Sequence, residues 1–219
     1  MTMRLQTHRR ADFAFALLEL MIVAAVAVLL FLWFLPATTG NKAKAGRIAC
    51  VNNLKQVGLS FRLWAGDHGE KFPMLVTAAD GGAMEQASLG VVAPVFSVMS
   101  NELSTPKILV CPDDKGRIAT NFTMLGHANL SYFVCSNATN QASPYKWLSG
   151  DRNVTNGSPL IRGVLHVPTN SPASWTKKIH NQQGNLTFAD GSVQQMTSQK
   201  LRDSLRSQTD SPLRLAIPK

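Results

Sequence analysis

The chain has 219 residues, with 22 Lys or Arg against 13 Asp or Glu and a net charge of +9. That length suits one soluble domain with a real core beside a short apolar segment, and not comfortably two domains. The positive charge is scattered, with two Tyr and no interleaving of basic and aromatic residues, which argues against nucleic-acid binding; the three cysteines form no CxxC pair, which excludes a zinc ribbon.

Over residues 13–35 the only charged side chain is Glu19. At 1.5 Å per residue such a helix reaches about 34 Å, enough for a hydrocarbon core. A cleaved secretory signal has a shorter apolar region and a small-x-small site, and Pro36, Ala37, Thr38 and Thr39 make a poor one, so a retained span is expected. Arg4, Arg9 and Arg10 upstream and Lys42, Lys44 and Arg47 downstream leave its orientation open. A carboxylate deep in hydrocarbon costs about 2.5–3.5 kcal/mol, so Glu19 is a functional candidate.

Further along, Cys50, Leu54, Val57, Phe61 and Trp64 repeat at helical spacing, and the turn residues Gly66, Asp67, His68 and Gly69 end that helix. A short helix is expected over 95–103. Strands are expected at 108–111, 131–135 and 145–148, with short pieces within 160–167. Cys111 and Cys135 both lie in strand-like stretches and can pair if the domain is outside the cytoplasm; two buried thiols are the alternative. The run "NLTFADGSVQQM" reads as a hairpin, with Asp190 and Gly191 as the two residues of a type I′ turn and Val193 opposite Phe188. A short helix burying Leu201 and Leu205 follows, and Leu213, Leu215 and Ile217 alternate in a last edge strand.

Two stretches carry a resemblance. "AFALLE", after a basic leader and before the apolar run, resembles the processing site of type IV prepilins and type II secretion pseudopilins. His180, followed by nine residues and then Asp190 and Gly191, resembles the H-X9-DG signature of a pseudopilin-like group, together with "CVNNLKQVGLSFRLWAGDHG", "CPDDK", "NLSYFV" and "GDRNVT". The resemblance implies cleavage between Ala14 and Phe15 by a prepilin peptidase, and N-methylation of Phe15. It also implies pairing of Glu19 with the free amine of a neighbouring subunit. Ala14 departs from the Gly that the family usually has there. Pro36 falls where many pilin helices carry a proline.

The implied fold is α+β and pilin-like, a long N-terminal transmembrane-to-head helix packed on a small antiparallel sheet. Its parts would be a leader (1–14), an assembly helix (15–37), an amphipathic helix continuing into the head (38–69), and a head (70–219) with the signature hairpin at 180–196. The expected function is a pilin-like, non-enzymatic subunit of a secretion or pilus machine. It would cross the inner membrane once, partner other pilin-like subunits, and hold its head in the periplasm or outside the cell. The alternative is a membrane-anchored binding protein, for example for carbohydrate, that uses the prepilin-type signal only for export.

His180, Asp190 and Ser192 do not make a hydrolase, because no nucleophile elbow accompanies them. No cofactor is expected. Asp113, Asp114, Asp151 and Asp190 could offer oxygen ligands to calcium, without EF-hand spacing. The simplest role for His180 is to brace the loop entering the hairpin, by a hydrogen bond to backbone or to Asp190.

Overall fold

The structure, a computed structural model, describes the backbone of residues 7–34, 37–139, 143–209 and 212–219, and the side chains of 17–33, 44–139, 143–209 and 212–219. The chain divides into two units, Met1–Lys44 and Ala45–Lys219.

The N-terminal region corrects the expected fold. The helices described there are α1 (Thr7–Phe34) and α2 (Ala37–Asp67). Leu35 and Pro36, between them in sequence, lie outside the described residues. Among the described residues no helix is long and apolar enough to cross a membrane. The long transmembrane-to-head helix is therefore withdrawn, while an α+β chain with an antiparallel sheet is what the structure has.

In the second unit the expected stripe on α2 is the core face. Cys50, Leu54, Val57, Phe61 and Trp64 are all buried, and Phe61 meets Phe72 and Phe96 edge-on at 5.9 and 6.1 Å. Burying each such side chain contributes roughly 1.5–3 kcal/mol. Three short helices follow: α3 (Met84–Ser88), α4 (Ala93–Ser97) and α5 (Ser100–Leu103). The helix expected over 95–103 is thus two pieces.

Residues 106–109 are a 3-10 turn and not the expected strand. Pro106 opens it with its preset φ, and the Thr105 hydroxyl accepts from the Lys107 N–H.

The strands are β1 (Tyr132–Cys135), β2 (Trp147–Asp151), β3 (Val154–Thr155), β4 (Val164–Val167), β5 (Ser174–Trp175), β6 (Gln183–Phe188), β7 (Val193–Thr197) and β8 (Leu213–Ala216), with helix α6 (Ser198–Arg206) before the last. They form one antiparallel sheet in the order β4-β8-β1-β2-β6-β7, and a separate β3-β5 pair. The expected edge strand at the C-terminal end, β8, lies inside the sheet between β4 and β1, bonded on both sides. Its alternation is read correctly, but neighbours far apart in sequence decide its place.

The hairpin is present with a different turn. Thr187 pairs with Val193, the Phe188 N–H donates to Ser192 O at 2.9 Å, and the Gly191 N–H donates to Phe188 O at 2.9 Å. Only Gly191, at φ 84°, is left-handed; Asp190 is not. A three-residue loop thus replaces the two-residue type I′ turn. The Asp190 carboxylate accepts from the Ser192 N–H at 2.8 Å. A Cβ at Gly191 would meet nothing closer than 3.7 Å, so the cost of a side chain there is conformational. Gly191→Val should lower stability by roughly 1–2 kcal/mol in thermal or urea melts. An unchanged midpoint would show that the loop takes up another turn.

Candidate functional site

Three of the resembling stretches meet at one buried place beside α2. Strand β2 ends there with Asp151, wholly buried, opposite Tyr132 of β1. Asp151 Oδ2 accepts from the Asn185 backbone N–H at 2.7 Å and from Asn185 Nδ2 at 2.9 Å, whereas Oδ1 has no partner. Burial pushes the Asp151 carboxyl up to about 7; the Asn185 bonds hold it down in part, and Asp114 and Asp113 push it further up.

The loop after the 3-10 turn supplies the second group. Cys111 is disulfide-bonded to Cys50 of α2, across 61 residues of sequence. This corrects the expected Cys111–Cys135 pair; Cys135 is a free, buried thiol at the end of β1. Burial pushes that thiol up to about 12, so it is chemically quiet. Asp114 accepts two bonds from the Arg152 guanidinium, at 2.7 and 2.8 Å.

The third group is the loop carrying His180. His180, Asn181 and Gln182 have φ of 55°, 49° and 64°, three successive non-glycine residues in the left-handed region. Each costs roughly 1–2 kcal/mol, so the surroundings must hold them there. Asn153 does much of this, its amide donating to the carbonyls of Thr176, Ile179 and Gln183 at 3.0, 2.9 and 3.2 Å. Arg47 of α2 donates to His180 O at 3.2 Å and to Gln183 Oε1.

The imidazole is thereby placed in the middle of the cluster. His180 Nδ1 lies 2.9 Å from Asp113 Oδ2, while Nε2 lies 3.5 Å from both Cys111 Sγ and Asp151 Oδ2. Burial is the main influence on its proton affinity and lowers it, against the opposing pull of Asp113.

The ring of His180 meets Asp113, Asp151 and Cys111, and not Asp190. Strand β6 separates the two ends of the signature, and six extended residues span roughly 20 Å. Asp190 and Gly191 sit at the far end of β6, where Gly58 of α2 packs so close that a Cβ on it would come within 3.1 Å of Gly191 Cα. The signature thus marks two contacts of one hairpin with α2, one at each end.

Of the four acidic residues weighed for calcium, Asp113 and Asp151 both approach His180, Asp114 pairs with Arg152, and Asp190 is bound to its own turn. Among the described residues, one group of Cys and His brings its potential ligand atoms within 4.8 Å of one another: Cys50, Cys111 and His180, the two cysteines being joined as the disulfide. Sequence reading missed Cys50 as a site residue, having assigned it only to the helical stripe. It also missed Asn153 and Asn185, which ordinary Asn-rich loops disguise.

Beside this cluster opens a cleft of about 540 Å³, lined among others by Arg152, Asn153, Thr176, Lys178 and Ile179. In the first unit the side chains of Ala14 and Phe15 lie outside the described residues. Glu19 is exposed on α1, among apolar side chains that are exposed throughout residues 17–33. No family model, no curated protein and no solved structure matches the chain.

Proposed function

We propose that the protein is a pilin-like subunit that works by leader processing and filament assembly, with a head that does no catalysis. The observation that carries this is α1, whose described residues 17–33 are exposed and apolar with Glu19 as the single charge. A contiguous apolar surface of that length is stable only against lipid or other apolar helices. A carboxylate within it strongly favours whatever arrangement gives it a partner, because an unpaired charge in an apolar setting is costly.

On this reading a prepilin peptidase cuts between Ala14 and Phe15 and methylates Phe15. The new amine then pairs with Glu19 of the neighbouring subunit. The subunit is held at the inner membrane by its apolar N-terminus and projects its head outside the cytoplasm. The Cys50–Cys111 disulfide supports that placement, since such bonds persist in oxidising compartments. In the second unit, the His180 cluster ties α2 to the loops beside the sheet through the Cys50–Cys111 bond and Arg47.

Glu19→Val tests the reading. The head should keep its fold and melting point, while incorporation into oligomers or filaments falls to background in crosslinking of membranes. Assembly equal to the parent would show that Glu19 has no pairing role.

A second reading, a membrane-anchored binding protein, is favoured by the cleft at Arg152 and Lys178. It predicts a retained leader and monomeric protein.

A further inference from the structure

We propose that Cys50, Cys111 and His180 form a zinc site in the reduced protein, so that metal and disulfide are alternative closures of the same link between α2 and the sheet. The three offer one ligand atom each, Sγ, Sγ and Nε2, within 4.8 Å of one another, and all three residues are buried. In a tetrahedral zinc site the ligand atoms stand roughly 3.4–3.8 Å apart, from Zn–S of about 2.3 Å and Zn–N of about 2.0–2.1 Å. The Cys111 Sγ to His180 Nε2 separation of 3.5 Å already has that value. The two sulfurs, bonded here, must part; their Cα atoms are 5.1 Å apart, so side-chain rotation is enough and the backbone stays.

Two independent features point to a ligand. Asp113 Oδ2 stands 2.9 Å behind His180 Nδ1, an ion-pair contact that leaves Nε2 on the side of the sulfurs, 3.5 Å from Cys111 Sγ. A carboxylate behind a metal-binding histidine does the same work in zinc centres generally. The second feature is Asp151, wholly buried, with Oδ2 3.5 Å from His180 Nε2 and Oδ1 unpartnered. A buried carboxylate oxygen without a partner is costly, and a cation beside it removes the cost. Asp151 supplies the fourth ligand with a small shift, or orients a water that does.

The chemistry balances. Two electrons from a dithiol reductant and two protons convert the Cys50–Cys111 disulfide to two thiols, and the reductant becomes its own disulfide. Zinc then displaces the two thiol protons and keeps its oxidation state. The chain can in this way close the link before it reaches an oxidising compartment, and the disulfide replaces the metal afterwards. None of this depends on the assembly role of α1.

The probe is Co²⁺, which reports thiolate ligands and tetrahedral geometry by its absorption. Full-length protein in detergent is unfolded in denaturant with a phosphine reductant and refolded with Co²⁺. One Co²⁺ per chain is expected, with a thiolate charge-transfer band and strong visible d–d bands, both abolished by Zn²⁺. His180→Ala should lose the d–d intensity, Asp113→Asn should weaken binding about 10-fold or more, and Cys135→Ala should change nothing. Oxidised protein should bind no Co²⁺. The proposal is overturned if reduced, folded protein gives no charge-transfer band, or if His180→Ala binds as the parent does. It is equally overturned if the reduced chain fails to fold with metal present.

Discussion

Replacing Cys50 and Cys111 together with alanine should destabilise the oxidised protein by about 4 kcal/mol, the largest loss expected of any conservative change in the head. The bond closes a loop of 61 residues, and removing such a constraint from the unfolded chain costs about 4 kcal/mol in the loop-entropy model. The loss falls at a sensitive place, because the bond joins α2 to the loop that presents Asp113 to His180. A total stability of 5–15 kcal/mol is usual for a domain, so the variant should be close to its threshold at 37 °C. Urea melts followed by near-ultraviolet circular dichroism measure the loss. A change below 1 kcal/mol would mean that the disulfide does not form in the folded protein. Cys135→Ala, which removes a free thiol, serves as the control.

The second large effect is on pH dependence. The Asp151 carboxyl titrates at about 7 in the folded chain against 3.8 when free. Between those values the folded chain binds the extra proton, so the contribution of Asp151 is fully present below pH 4 and is lost as pH rises through about 7. The shift corresponds to a loss on the order of 4 kcal/mol. His180 opposes this at the acid end. Its folded value is lowered, so its own contribution is present above its ordinary value and is lost as pH falls. Asp113 and Asp114 face Asp151 and add to its rise; Asn185 counters them.

Asp151→Asn keeps an oxygen to accept both Asn185 bonds and removes the titration. Its stability should match the parent near pH 4, exceed it by several kcal/mol at pH 8, and show little slope between. A parent-like slope in the variant, or lower stability at pH 8, would place the ionised carboxylate in a favourable setting instead.

Local pattern made much of the head legible. The spacing of Cys50, Leu54, Val57, Phe61 and Trp64 gave the buried face of α2, and the alternation of Leu186 and Phe188 gave the hairpin, although Val193 pairs with Thr187 and not with Phe188 as expected. Non-local pairing was not legible. Nothing in the sequence near Leu213 says that β8 enters the sheet between β4 and β1, and hydrophobic alternation alone cannot separate edge from centre. The cysteine pairing failed for the same reason, since three cysteines allow three pairs and only the fold brings Cys50 to Cys111.

The site was half visible. His180 was singled out through its spacing from Asp190, yet β6 holds those two apart and the working partners are Asp113 and Asp151. No glycine marks the left-handed turn at His180, Asn181 and Gln182, so its strain could not be seen in the residue types. Asn153 and Arg47 impose that conformation from distant parts of the chain.

The proposal of a processed, assembling subunit meets its most direct test in the N-terminus of the protein extracted from the cells that naturally produce it. Intact-mass and N-terminal peptide spectra of the membrane fraction should show a chain that begins at Phe15 and carries one added methyl group on its amine. A chain that still begins at Met1, or one cut after Ala37 or Thr39, would contradict it.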